Sequence, residues 1–280
     1  MKKITTIILA ACLAAPLIAQ DNAAEQTTKS NINQTDSALF LRLGLGYGSV
    51  VYGSSNNNST SELGGGPSFS GDAAVLWNWK LVAAELSFVG ANISNTEVTV
   101  NGVTTKNEGS GFLWFLDPKI GVKLFSKPGD MGHTFLYGGL RVWGFSRSLT
   151  STETSGVKTT YSPEDKTSGS AVGWIAGVRD LSTYKLGSGD WSLLFQWGVF
   201  VDSAPLKEVT ENDSKVTLQD PSGLGLGYEV GLGAANENSG LAIYLNYKVD
   251  VAVTLFDSPT KLFGTGIGHY YLTVAKQLDL

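Results

Sequence analysis

The stretch "LFLRLGLGYG", Leu39–Gly48, decides the fold. Leu39, Leu41, Leu43, Leu45 and Tyr47 take every second position, and Phe40, Arg42, Gly44, Gly46 and Gly48 fall between them. A helix is a poor reading. Its three glycines would cost roughly 2–3 kcal/mol relative to alanine, and the apolar residues miss the helical period. A strand accounts for the spacing, because successive side chains point to opposite faces. One face is then wholly apolar. The other is small and carries a single charge. What matters is which of the two meets water.

The same alternation recurs along the chain. Phe69, Ala73 and Val75 oppose Ser68, Ser70 and Asp72, and Val82, Ala84, Leu86 and Phe88 oppose Glu85 and Ser87. Phe112, Trp114, Leu116, Ile120, Val122 and Leu124 oppose Asp117, Lys119 and Lys123. Val172, Trp174, Ala176 and Val178 oppose Gly173, Gly177 and Arg179. Trp191 to Val201 oppose Ser192, Gln196 and Gly198, and Leu224 to Leu232 oppose Gly225, Gly227, Glu229 and Gly231. Leu241 to Val251 oppose Tyr244, Asn246, Lys248 and Asp250. Tyr270, Leu272, Val274 and Leu278 share a face that only Lys276 interrupts. In "HTFLYGGLRVWGF", Phe135 and Tyr137 are out of phase with Leu140 and Val142. Either a β-bulge at Gly138–Gly139 flips the register, or the two aromatics point the other way.

This reading yields about ten strands of about 9–12 residues, where soluble strands average about 5–6 and a tilted bilayer crossing needs about 9–11. The connections alternate in length. Long polar ones are expected at Ser49–Pro67, Ala91–Ser110, Arg147–Ser170, Ser203–Ser222 and Ala252–Thr265, and short ones between them. In "VTVNGVTTK", Asn101-Gly102 suits a tight hairpin turn. The expected fold is all-β: a closed antiparallel up-and-down transmembrane β-barrel over residues 38–280, with the long loops on the outer side. Its apolar face would meet lipid and its small, charged face would line the lumen. A soluble sheet would invert this.

The expected lumen carries Arg42, Lys119, Lys123, Arg141, Arg179 and Lys248 against Asp72, Glu85, Asp117, Glu229 and Asp250. The signs nearly cancel, whereas a selective channel more often carries one sign in excess. A layered network of ion pairs filling a narrow bore is expected, the backbone diameter being roughly 20 Å for ten strands. Aromatics fall near strand ends. Tyr47, Phe112, Trp114, Trp174 and Tyr270 would form an outer girdle, and Trp77, Trp79 and Trp191 an inner one.

The N-terminus, "MKKITTIILAACLAAPLIAQ", has the charged start, short apolar core and small-residue end of a secretory signal. Cleavage near Ala19 gives a signal over 1–19; lipidation at Cys12, in "LAAC", is the alternative. Residues 20–37 are polar and are expected to form a disordered periplasmic tail. Cys12 is the sole cysteine, and net charge is -5 with no basic cluster, so no nucleic-acid partner is expected. His133 and His269 are the only histidines and should lie far apart, which argues against a zinc site. Glu208, Glu211, Asp213 and Asp220 match no EF-hand spacing and read as a solvated acidic loop.

With these features the chain resembles the bacterial outer-membrane β-barrel proteins, in the broad class of small OmpA-, OmpX- and OmpW-like barrels. The resemblance spans Ala38–Leu280 and includes the amphipathic last strand "YYLTVAKQLDL". That class usually ends on an aromatic residue read by the barrel-assembly machinery; this chain ends on Leu280. The strand number also resembles that of the omptin proteases, but the sequence has no Asp-x-Asp and no Asp-x-His. The resemblance implies a monomer in the bacterial outer membrane, with outer-membrane lipids and the assembly machinery as partners and no cofactor. The expected function is non-enzymatic: membrane integrity, or surface binding of an extracellular ligand. A small-solute channel and a membrane-embedded hydrolase or lipid-modifying enzyme are the alternatives.

Overall fold

The computed structural model describes residues 38–279 apart from 57–58, 78–81, 101–102, 126–132, 186, 237 and 257–260. The expected signal, the tail and Cys12 lie outside the described residues, as does Trp79. The chain runs β1 (Ala38–Asn56), β2 (Ser59–Trp77), β3 (Val82–Val100), β4 (Val103–Phe125), β5 (His133–Thr154), β6 (Val157–Lys185) and β7 (Trp191–Ser203). It continues through β8 (Glu208–Glu211), β9 (Ser214–Thr217), β10 (Ser222–Asn236), β11 (Leu241–Phe256) and β12 (Lys261–Asp279). Ten of these strands form one antiparallel ring, ordered β5-β4-β3-β2-β1-β12-β11-β10-β7-β6 and closed by β5 pairing β6. β8 and β9 form a hairpin attached to β6 at residues 167–169. Closure leaves the ring without an open edge.

Strand direction follows the alternation. On β1, Leu43 and Leu45 are 71% and 76% exposed, whereas Arg42 is buried at 4%. Leu86, Ile120, Leu140, Val172, Leu226, Leu245 and Leu272 are likewise exposed on the outside. In water a continuous apolar surface of this kind would be an aggregation liability.

The structure corrects or settles four points. First, four of the five long loops are mostly strand. The pairing of β1 with β2 runs to Ser55↔Ser59, β3 with β4 to Val100↔Val103, β5 with β6 to Thr154↔Val157, and β11 with β12 to Phe256↔Lys261. Strands of up to 29 residues result. These upper segments are polar on both faces, so burial gave them no periodicity to read; cross-strand hydrogen bonding extends them. At the β5–β6 tip, Ser155 (φ 53°) and Gly156 (φ 80°) make the positive-φ pair of a primed turn. Second, no bulge occurs at Gly138–Gly139. The registers against Lys119–Ile120 and Ile175–Ala176 are unbroken there. Phe135 and Tyr137 point inward with Arg141 and Trp143, while Leu136 and Leu140 face out.

Third, the apolar outward face is interrupted by a charge besides Lys276. Asp180 shares the outward phase of Val178 and accepts hydrogen bonds from Thr134 and from Ser182 (2.6 Å). Those two hydroxyls satisfy it near the lower end of the barrel, where the short connections and both barrel termini lie. Fourth, the inner face is not only small and charged. Leu113, Phe115, Trp143, Phe145, Leu194, Phe200, Tyr244 and Tyr271 fill it as well. These side chains pack above, below and around the ion pairs.

Candidate functional site

The lumen holds two layers of charge. In the lower one, Glu85 on β3 is the hub. Lys119 Nζ on β4 lies 2.9 Å from it, Arg179 on β6 donates to both its oxygens, and Arg42 Nη2 on β1 is 3.9 Å away. Arg42 also reaches Asp72 (3.3 Å) and donates to Gln196 Oε1 (3.3 Å). Arg179 Nε stands 3.9 Å from Glu229. Three cations thus face three carboxylates. Side-chain exposures of 20% for Asp72, 15% for Arg179 and 13% for Glu229 leave room for water beside them.

The upper layer inverts this arrangement. Arg141 on β5 is the hub and is fully buried. Its Nε and Nη2 donate to the two oxygens of Asp117 at 2.8 Å each. Nη1 and Nη2 donate to Asp250 at 2.8 and 2.9 Å, and Nη1 donates to Asp202 at 2.7 Å. The guanidinium has five N–H donors, and these contacts occupy all of them. Phe115 and Phe200 cover it at 4.9 and 4.7 Å. Lys248 lies over the Phe200 ring at 5.8 Å. With Lys248 counted, three carboxylates still outnumber the cations.

Asp202 is absent from the charges read from sequence, although its parity with Gln196 and Gly198 on β7 marks it as inward. Its position at the strand end obscured it. Lys123 is half-buried on the inward face of β4. Among the expected girdle residues, Tyr47, Trp174, Trp191 and Tyr270 are exposed on the outside and Phe112 and Trp114 are half-buried there. Trp77 ends β2. His133 opens β5, and His269 is buried in the lumen wall of β12. Glu208 belongs to the β8–β9 hairpin and pairs with Lys215 at 3.0 Å. Among the described residues no three acidic, histidine or cysteine groups converge as metal ligands.

Apolar clusters flank the two layers. Above lie Val50, Leu113, Trp143, Phe145, Phe263 and Ile267. After β7 the chain turns into the bore instead of continuing upward, so that Ala204 and Leu206 are buried in this cluster. Trp143 Nε1 donates to Ala204 O at 2.8 Å, and Leu206 N donates to Thr254 Oγ1 at 2.9 Å. Below lie Phe40, Leu181, Leu194 and Tyr244 with Ala74, Ala235, Ala242 and Ala275.

No family model matches the chain, and no curated protein does. Among solved structures, the outer membrane protease OmpT from Escherichia coli is similar in fold, with a TM-score of 0.52 at 8% identity, over 90% of this chain and 100% of that one. The translocator domain of the autotransporter NalP from Neisseria meningitidis matches with a TM-score of 0.36 at 11% identity, over 97% of each chain. The toluene transporter TodX from P. putida matches with a TM-score of 0.29 at 8% identity, over 88% of this chain and 90% of that one. The similarity to OmpT is one of fold: this chain has the β-barrel fold of an outer-membrane protein.

Proposed function

We propose that the protein is a monomeric, non-enzymatic barrel of the bacterial outer membrane, and that its lumen is closed. It stabilises the membrane or displays its tall upper hairpins to an extracellular ligand. The observation that carries this reading is the pair of apolar clusters that cap the two ion-pair layers. A bore filled with charge and sealed at both ends is a packed core. The exposed leucines and valines fit lipid as their solvent, and ring closure satisfies the backbone groups there. The absence of Asp-x-Asp and Asp-x-His from the sequence favours a non-enzymatic reading over a protease-like one.

Purified protein in planar bilayers is the test. Silence is expected, together with anomalous migration of unboiled protein on a detergent gel. Discrete conductance steps would instead support the narrow solute channel. Epitope tags at the β3–β4 and β5–β6 tips should be accessible on intact cells. Tags reached only from the periplasm would reverse the orientation.

A further inference from the structure

Above the apolar belt, the outward face of β4, β5, β6 and β8 carries a cleft of about 290 Å³. Its floor follows from the register. Phe112 pairs with Ser146, Ser146 with Ser168, and Ser168 with Thr210, so these four side chains share a face. One same-face step higher, Ser110 pairs with Ser148, and Ser148 with Lys166. One step lower is Trp114, opposite Gly144, and below them Leu116, Val142 and Val172 form an apolar row. The hydroxyls therefore begin where the apolar side chains end. Ser148 donates to Glu164, whereas Ser110, Ser146, Ser168 and Thr210 make no side-chain hydrogen bond among the described residues.

The wall of the cleft is the β8–β9 hairpin, which takes no part in closing the ring. Its two-residue turn, Asn212–Asp213, has φ of 47° and 66°, the positive pair of a primed turn. Asn212 ties this turn to β6. Its N–H donates to Lys166 O (2.9 Å), its Oδ1 accepts from the Lys166 N–H (2.8 Å), and its Nδ2 donates to Asp165 (2.9 Å). Asp213 thereby borders the cleft together with Lys166. A wall fixed in advance has little freedom left to lose on binding.

The charges of the lining nearly cancel. Lys166 and Asp213 are opposite in sign, and Arg147, which also borders the cleft, shares the inward phase of Phe145. On the hairpin, Lys215 and Glu208 pair with each other at 3.0 Å. An anion site would gather cations and exclude carboxylates. A neutral polyol needs donors and acceptors side by side. Hydroxyls are both, the Lys166 ammonium only donates and the Asp213 carboxylate only accepts. Phe112 and Trp114 add apolar carbon beside them, which suits the C–H face of a sugar ring. Small-ligand pockets run from about 300 Å³ upward, so this one has room for a single ring. Resting on the reading of the upper hairpins as a ligand-binding side, we propose that this cleft binds a neutral saccharide, borne either by a free glycan or by a glycolipid of the surrounding leaflet.

The test uses the full chain in an amine-oxide detergent, which brings no sugar of its own. One arm applies it to an array of immobilised neutral mono- and oligosaccharides. The other mixes it with neutral glycolipids bearing glucose, galactose or N-acetylglucosamine and reads co-elution. Binding is expected; a signal on the array identifies a free glycan, and a signal confined to the second arm identifies a lipid headgroup. Ser168→Trp, which fills the floor, should abolish it. Ser146→Ala with Ser168→Ala removes two hydroxyls and should weaken it roughly tenfold. That pair is the milder variant if the tryptophan prevents assembly, which heat-modifiable gel migration reports. Silence in both arms overturns the proposal, as does binding that the folded variants leave unchanged, or binding of inorganic phosphate in place of sugar. Epitope tags on the upper hairpins reached only from the periplasm would instead defeat the orientation on which the reading rests.

Discussion

The two charge layers of the lumen are opposites. In the lower one a carboxylate, Glu85, is held by three cations. In the upper one a guanidinium, Arg141, is held by three carboxylates. The lower layer is balanced and partly solvated. The upper one has excess acid, is dry, and has the rings of Phe115 and Phe200 against its hub. The same strand parity places both sets inward, so parity does not decide their worth. Access of water does: a partly solvated ion is replaceable by hydration, whereas a dry one depends wholly on its partners.

The largest effect should therefore come from Arg141→Met. It strands three carboxylates in a dry layer, and loss of one partner from a buried network costs about 3–5 kcal/mol. Urea unfolding followed by tryptophan fluorescence should show that loss or outright failure to assemble. Arg141→Lys should rescue little, because an ammonium offers three donors where five are in use. Glu85→Gln should cost less, about 1–3 kcal/mol, since water reaches its neighbours. If Glu85→Gln matches Arg141→Met, the distinction between wet and dry layers fails.

Asp202→Asn sharpens the comparison within the upper layer. Asp202 accepts one hydrogen bond from Arg141 and Asp250 accepts two. Removing one charge from an acid excess should cost at most about 1 kcal/mol, and less than Asp250→Asn in the same unfolding assay. Leu43→Ile, on the outward face, should change stability by no more than about 0.5 kcal/mol.

The smallest effect lies above the apolar belt, at Glu108. Hydrogen bonds from Lys158 (2.7 Å) and Ser151 (2.6 Å) hold its carboxyl below the usual glutamate range. A depressed acid stabilises the folded form above the free-glutamate value, and the gain is lost as pH falls through its own lower value. Protection against amide exchange at the upper ends of β4, β5 and β6, taken relative to the intrinsic rate at each pH, should fall slightly below about pH 4 and should not in Glu108→Gln.

Faces were legible from residue order wherever one side of a strand is apolar. Arg42, Glu85, Arg179, Glu229 and Asp250 could be assigned inward because their sequence neighbours are leucine, valine or aromatic. The Gly138–Gly139 stretch was ambiguous, since Phe135 and Tyr137 suit either side, and only unbroken pairing with β4 and β6 resolves it. Of the upper hairpins only β3–β4 was legible, from the Asn101-Gly102 between Val100 and Val103, which pair. Serines, threonines, asparagines and glycines dominate the hairpin sequences, and such composition does not separate a strand from a loop. Asp180 escaped notice because its outward charge is excused by Thr134, a partner 46 residues away.

The sequence by itself determined the strands that cross the apolar belt, the direction of each side chain on them, and the barrel those strands require. These follow from the period-two pleat, which is local. Only the tertiary structure decided which acid meets which base, that Glu85 and Arg141 are the hubs, and that Ala204 and Leu206 are buried against Trp143 and Thr254. Those outcomes depend on register and shear between strands distant in the chain, and on the competition for space inside one bore, none of which a local period encodes.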